Sequence, residues 1–514
     1  MKPLLESILE VNASGHPNQL VALLSKHAFA PEEGLRALET LVAQSQVSAV
    51  YILAMGMANR GVRDARISLV LATLGLLFDN PTEVERGLRP LAGQVDAASD
   101  AERITLFHFA LSLVLIFLSC QTHQPELQEK LPRLLEVVQG AMPHFRRIFD
   151  PTTAVAPLTP EALQRQGRAG AGLVIPPLPA AGRRRLRRVM VLCAMIMGAR
   201  VAAGMRAYGW EVERMARPAT AQARAEVVQA CVRADVEVLV MEMMQVDESI
   251  WHLLTKLRAW KPSLRIVLFT TDAWTLHRRI LGDTTPVTNG SVETHMQAGI
   301  KALAGLVDVF WECDMPSLAM WREPEFRRKV LHAPLPHGVP PRAPEHPLRP
   351  LLFFAGGYKG YTWPRAFWLA GAPGWGLPIE ARPHSTETDG LPILDSYAIH
   401  FQRLAEATCC LNLTMRENMR CIVTHRAFEA PLAGALLLNE QGANADMERF
   451  FVAWEHYLPF ETLADLRAIL RFITEHPRQA ETIRRNGCAF AQEHYGDDKL
   501  VGYLDAFLDD PWVA

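Results

Sequence analysis

Apolar residues along the first 150 positions recur every three or four residues, as at Leu20, Leu23 and Leu24 and again at Leu35, Leu38, Leu41 and Val42. That is the period of helices with one buried face. The pattern breaks at His16-Pro17, Asn80-Pro81 and Gln124-Pro125, the last two with N-cap chemistry beside them. Successive helices with short connections predict stacked antiparallel pairs, although no clean repeat signature recurs. Ile104 to Cys120 is a 17-residue apolar run interrupted by His108. It falls short of the roughly 20 residues that span a bilayer, and is read as the central helix of an all-α domain.

From Pro151 to Gly182 six prolines sit among Ala, Gly and Gln, the texture of a linker. The arginine run Arg183-Arg184-Arg185-Leu186-Arg187-Arg188 that follows reads as a solvated lead-in to a strand, with phosphate or lipid attraction as the other reading. Beyond it the period changes. Val189 to Met195 is a continuous apolar run, as buried parallel strands show. Further strands are expected at Trp210–Val212, Val236–Met241, Arg265–Thr270 and Val307–Trp311, with helices between them. A second proline-rich stretch, Pro334 to Pro350, ends this unit, and the alternation restarts with strands at Leu351–Ala355, Cys409–Leu413 and Ala435–Asn439. Helices are expected at Leu463–His476, Pro477–His494 and Asp498–Leu508.

The expected division is an all-helical, repeat-like domain over 1–150, a Pro/Arg-rich linker over 151–187, a Rossmann-like domain over 188–345 and a second over 346–514. Two such units would leave one cleft between the carboxyl ends of their strands.

Composition narrows the function. The 514 residues carry a formal net charge of −2, without the basic excess of a nucleic-acid binder. The eight cysteines form no C-x-x-C pair and no zinc-like spacing, so a reducing compartment and no structural metal are expected. Glu6 and Glu10 interrupt the apolar start of the chain, which therefore lacks the h-region of a signal peptide. A cytoplasmic protein is expected.

The strongest local signal runs from Thr424 to Asn439: a helix with Glu429 in its first turns, ended by Gly434, leading straight into a buried strand. A helix start can hold an anion through free N–H groups, and a carboxylate just inside it can accept two hydroxyls of a ribose. A capping acid on an ordinary βα unit fits the spacing equally well. Gly356-Gly357-Tyr358-Lys359-Gly360 follows a strand, and such a turn lets backbone N–H groups approach a pyrophosphate while Lys359 adds charge. No G-K-[ST] is present, so it is not a Walker A loop.

The segment Phe428-Glu429-Ala430-Pro431-Leu432-Ala433-Gly434-Ala435 resembles the F-E-A-x-A-x-G-A motif in the C-terminal domain of GT-B glycosyltransferases, especially the spore-maturation-protein type within the glycosyltransferase-1 superfamily. Leu432 stands where the second alanine is usual. Tyr457 to Leu466 resembles the family's Y-x-x-x-E-x-L region, and His476 to Gly487 its H-P-x-x-x-x-x-I-x-x-x-G helix. Glu493-His494-Tyr495 closes the pattern. Upstream, Leu352–Gly360 and Asp395–Leu413 are similar to the strand and glycine turn that open the second domain and to the helix before its L-N strand. The resemblance is good over 350–505, weaker over 188–345 and absent over 1–150.

The resemblance implies a nucleotide-sugar donor seated on the second unit, with Glu429 on the ribose and Arg426 on the diphosphate. Arg416 and Arg420 offer further phosphate donors, or are two surface arginines beside Glu417. Gly356, Gly357, Tyr358, Lys359 and His425 complete the expected donor site. No metal or other cofactor is expected. Cys421 stands where the paired-glutamate pattern of many retaining enzymes wants an acid, which leaves inversion or retention open. In an inverting reaction the base would be Asp272, with His277 second, beyond the strand that ends at Thr270. Capping of a helix is the other reading of Asp272. His332, His337 and His384 are read first as structural.

The partners expected are the donor and an acceptor recruited by residues 1–150, with a protein favoured over a lipid or glycan. No nucleic acid and no membrane contact are expected, and a homo-oligomer stays open. A nucleotide-sugar epimerase and a non-catalytic helical scaffold are the competing functions.

Overall fold

The computed structural model describes residues 3–13, 17–26, 29–123, 125–155, 157–159, 173–178, 185–193, 196–218, 220–242, 248–270, 301–312, 323–356, 364–382, 393–415, 421, 423–441 and 446–511. They belong to two compact units.

The first unit takes in the described residues up to 153 together with 364–377. Nine helices open it: α1 (Leu4–Ala13), α2 (Pro17–Lys26), α3 (Pro31–Ala43), α4 (Val47–Asn59), α5 (Ala65–Leu77), α6 (Pro81–Asp96), α7 (Asp100–His123), α8 (Leu131–Ala141) and α9 (Pro143–Ile148). Their starts follow from the chain. Asp64 caps α5 by accepting from the Arg66 N–H at 2.8 Å, and Asn80 caps α6 by accepting from Glu83 at 3.3 Å. A Cβ on Gly87 would stand 2.4 Å from the Ser68 carbonyl, so α5 and α6 can cross this closely only over a glycine. Asp100–Leu118 is the one described segment long and apolar enough to cross a membrane, and 62% of it is buried inside the protein.

One further helix of this unit, Pro364–Gly371, comes from far along the chain. Its anchor is aromatic. Phe149 stacks on Trp375 at 5.3 Å and meets Trp368 edge-on at 4.8 Å, while Phe145 meets Phe367 at 6.0 Å. Gly371 makes room for the Trp375 ring, which a Cβ would approach to 2.2 Å.

The second unit holds two sheets, parallel throughout among the described residues. The first has the order β2-β1-β3-β4-β5-β6, from β1 (Arg188–Cys193), β2 (Glu211–Ala216), β3 (Val238–Glu242), β4 (Arg265–Thr270), β5 (Val309–Glu312) and β6 (Val330–His332). The second has the order β11-β10-β9-β7-β8, from β7 (Leu352–Ala355), β8 (Ile379–Arg382), β9 (Cys409–Asn412), β10 (Leu436–Glu440) and β11 (Leu458–Phe460). Two parallel α/β sheets, with an all-α region before them in the chain, are the fold class the apolar pattern predicts. The sequence reading passes over β6, β8 and β11, strands of three or four residues whose runs are too brief to show a period. β8 lies at an edge and is mostly exposed, and β11 is an edge strand that tolerates Pro459.

Alternation along β1 builds two cores. Val189, Val191 and Cys193 face one that continues through Phe269 and Trp311 to Phe428, Leu437, Tyr495 and Tyr503, so both sheets share it. Met190 and Leu192 face the other, beneath the helices Ala221–Arg233 and Glu248–Trp260. The chain's last helix, Asp497–Asp509, comes back to the first sheet. Here the expected solvated arginine run is corrected at Arg187. Its Nε donates to Asp505 Oδ1 at 2.6 Å and its Nη2 to Asp509 Oδ1 at 2.7 Å, both from the last helix. Tyr208 donates to the other Asp505 oxygen at 3.3 Å.

The aromatic anchor is directly testable. Trp368→Ala should destabilise the first unit by about 3–5 kcal/mol, the usual cost of emptying a large buried ring. Hydrogen exchange should quicken in α8 and α9 and stay unchanged in β1, β3 and β4. Full protection of α8 and α9 in the variant would show that the rings do not hold the helix.

Candidate functional site

Beyond β9, Thr414, Met415 and Thr424 are held by buried polar groups at the carboxyl ends of β9 and β10. Asn412 donates to Asn439 at 2.7 Å, and Thr424 donates to Asn412 at 3.0 Å. One Glu440 oxygen accepts the backbone N–H groups of Thr414 and Met415 at 2.7 and 2.8 Å. Cys421 is buried, and its backbone pairs with Met415 in an isolated bridge. The short helix Arg426–Leu432 follows. It ends at Gly434, whose φ of +84° suits glycine, and where a Cβ would come within 2.8 Å of the Ala343 carbonyl.

That helix places Glu429 in the interior, 4% exposed. Its Oε1 accepts from Arg200 Nη1 at 3.2 Å and from the Tyr397 hydroxyl at 2.8 Å, and His400 Nε2 lies 3.5 Å from Oε2. Arg200 belongs to the helix Ile196–Tyr208 after β1, and Tyr397 and His400 to the helix Ile393–Ala407 before β9. Residues of both sheets' helices thus meet on one carboxylate.

Arg200 Nη2 lies 2.9 Å from His337 Nδ1. A guanidinium only donates, so Nδ1 accepts and the neutral ring carries its proton on Nε2. His337 is held through its backbone, because Asp497 accepts the N–H groups of His337 and Gly338 at 2.6 and 2.8 Å.

Electrostatics follow the burial. Burial pushes the Glu429 carboxyl up, but the His400 hydrogen bond and the charges of Arg200, His400 and Arg426 outweigh it and hold it well below 4.5. Burial and the Arg200 charge keep His337 well below 6.5. The same two causes bring His425 down to about 3. Burial raises Tyr397 well above 10, and it raises Asp497. The centre is therefore an ionised carboxylate beside a guanidinium, with His337 and His425 held neutral nearby.

Of the residues expected in the donor site, the structure places Arg426 and Glu429 on one helix and His425 at its N-cap. Arg426 is half-buried, its Cζ lies 5.9 Å from the Phe354 ring centroid, and its Nε has no hydrogen-bond partner among the described residues. Gly356 sits at the end of β7 with φ 152°, and its N–H donates to the Arg382 carbonyl at 3.2 Å. That N–H is thereby engaged in the sheet rather than offered to a pyrophosphate. Gly357, Tyr358, Lys359, Arg416, Arg420, Asp272, His277 and His384 lie outside the described residues. No group of three or more His, Cys, Asp or Glu among the described residues is arranged to hold a metal ion.

Sequence reasoning missed Arg200, Tyr397, His400 and Asp497. A signal for Arg200 existed: a lone charge inside the run Ile196–Met205, where the remaining positions are apolar or glycine apart from Arg200 itself. Nothing local marks Asp497, whose role depends on the proline-rich linker Pro334 to Pro350 meeting the last helix.

Residues 366–501 match a family described as glycosyl transferase-like. No curated protein matches the chain in sequence. Among solved structures it is similar to sucrose-phosphate synthase from Thermosynechococcus elongatus, at 11% identity over 63% of this chain and 99% of that one, with a TM-score of 0.42. HepE from Anabaena, in complex with UDP and glucose, is 8% identical over 63% and 99% of the two chains, with a TM-score of 0.42. A mutant O-GlcNAc transferase from Thermobaculum terrenum is 13% identical over 94% and 98%, with a TM-score of 0.35. Likeness at that level says nothing of this chain's donor or acceptor. Tyr397, Arg426 and Glu429 all fall inside the stretch that is similar to the glycosyl transferase-like family.

The buried histidines set an acid limit on stability. Burial, with the charge of Arg449, pushes His332 down to about 3 from 6.5. The unfolded chain binds the proton over that window and the folded chain does not, so stability falls as pH drops through it. Each such histidine contributes a slope of about 1.4 kcal/mol per pH unit. His332→Gln should flatten the stability profile between about pH 4 and 6 by roughly one such increment. Chemical denaturation across that range measures it, and an unchanged slope would mean the ring titrates normally in the fold.

Proposed function

We propose that this chain is a metal-independent glycosyltransferase that moves a sugar from a nucleotide-sugar donor to an acceptor, with a protein favoured. The observation that carries the reading is Glu429: a buried, ionised carboxylate beside the half-buried Arg426, inside the stretch that matches a glycosyl transferase-like family. A carboxylate accepts hydroxyls, and a guanidinium without a partner for its Nε suits a phosphate. In this reading Glu429 takes the ribose and Arg426 the diphosphate, with Arg416, Arg420 and Lys359 as further phosphate donors. Rate would come from positioning and from stabilising the leaving diphosphate. Asp272, then His277, stay the candidates for the base. The helical residues 1–150 would recruit the acceptor, as stacked helices commonly present a broad surface to a macromolecule. A cytoplasmic setting and kinship with the spore-maturation-protein type belong to the same reading.

Calorimetry with UDP, GDP and ADP on the full chain tests the donor site. Glu429→Gln should weaken the nucleotide that binds by about 1.5–3 kcal/mol, the usual worth of a hydrogen bond to a charged group. Equal affinity would remove Glu429 from the site.

Release of free nucleotide from the matching nucleotide-sugar should survive EDTA. Loss on chelation, with recovery on adding magnesium or manganese, would assign the diphosphate to a metal instead. Labelled sugar should appear in protease-sensitive material from a cell extract. Label confined to lipid or glycan would exclude the protein acceptor.

A further inference from the structure

We propose that Arg200 is a positioning residue for the donor site: it ties one oxygen of Glu429 and leaves the other turned to the donor's ribose hydroxyls. The inference rests on the donor reading above and adds to it a residue that lies 229 positions away, on a helix of the other sheet.

The geometry divides the carboxylate's capacity unevenly. Arg200 and Tyr397 both donate to Oε1, at 3.2 and 2.8 Å. Oε2 faces the single donor His400 at 3.5 Å, and a carboxylate oxygen with one donor keeps a second lone pair to offer. A diol needs such an oxygen, held still and kept ionised.

Arg200 is itself held from several sides. Its guanidinium lies over the Tyr397 ring, with Cζ 4.1 Å from the centroid. Nη2 reaches His337 Nδ1, and Nη1 approaches the Met197 sulfur at 3.3 Å. The backbone is shaped to bring these groups close. A Cβ on Gly338, at φ +70°, would stand 3.2 Å from Arg200 Cα, and a Cβ on Gly204 would stand 2.4 Å from Pro336. Asp497 pins the same linker by its backbone N–H groups. A lysine is one point charge. It cannot lie flat on Tyr397 while donating in two directions to Glu429 and His337.

Removing the guanidinium changes what Glu429 faces. Tyr397 and His400 approach it from the helix before β9, Arg426 from its own helix, His425 from that helix's N-cap, and Cys410 from β9. His337 lies on the linker, with Asp497 behind it at the start of the last helix. Burial then pushes the carboxyl up with one fewer cation to oppose it, so protonation begins to compete with donor binding.

The test is calorimetry on the full chain with UDP, GDP and ADP as probes, between about pH 5.5 and 8.5, a range chosen to bracket the histidine region. In the unaltered protein the affinity contributed by Glu429 should be flat across it. Arg200→Met should weaken binding about tenfold or more and make affinity fall as pH drops. Arg200→Lys should restore part of both, and in a Glu429→Gln background Arg200→Met should have no pH effect left to add. A merely structural role would lower affinity without bending the pH profile, and that result overturns the proposal, as does wild-type affinity in Arg200→Met. If Arg200→Met does not fold, Tyr397→Phe removes the other donor to Oε1 and should bend the profile in the same direction; a flat profile there overturns the proposal. If the unaltered chain binds none of the three nucleotides, the donor reading itself falls, and that is seen before any variant is made.

Discussion

A carboxylate this far from water stays charged only when a cation and hydrogen-bond donors replace the solvent it has lost. Glu429 meets that requirement through groups brought from three other parts of the chain, and the architecture of the α/β unit serves to bring them. The helix after β1 supplies Arg200, the helix before β9 supplies Tyr397 and His400, and the linker after β6 supplies His337, which orients the guanidinium. The last helix contributes Asp497, which holds that linker at its backbone. Take away Arg200 and the buried Glu429 charge loses its paired cation, which is far costlier than losing a surface pair.

β1 is bracketed in the same way. Arg187, just before it, is buried against Asp505 and Asp509 of the last helix, and Arg200, shortly after it, is buried against Glu429. Two arginines of the first sheet's opening element are thus neutralised by acids from the final hundred residues of the chain. Such pairs add less to stability than their number suggests, since each ion gives up its hydration. What they impose is register: these elements fit together in one arrangement that leaves no buried charge unmatched.

Much of the fold was legible because buried parallel strands write themselves as unbroken apolar runs: Val189 to Cys193, Val238 to Met241 and Leu436 to Leu438 are such runs. Short edge strands carry no such run. β8 is mostly exposed and β11 contains a proline, and both exist because a neighbour offers a free edge. The candidate site was half legible. Glu429 and Arg426 sit in a motif with its own spacing, whereas Arg200 and Asp497 acquire meaning only from partners hundreds of positions away. The helix Pro364–Gly371 falls in the same class. Nothing in the local pattern says that the ring partners of its phenylalanine and tryptophan are Phe145 and Phe149.

That aromatic anchor also fixes an order of events during synthesis. Phe145 and Phe149 leave the ribosome well before Phe367, Trp368 and Trp375 exist. Roughly 200 residues separate the two sets, and at about 5–20 residues per second the helices wait on the order of 10–40 seconds with an apolar face uncovered. Throughout that interval the nascent helical region is a natural client for chaperones, and pausing in the intervening stretch prolongs its exposure. The helical region comes first in the chain and is finished late.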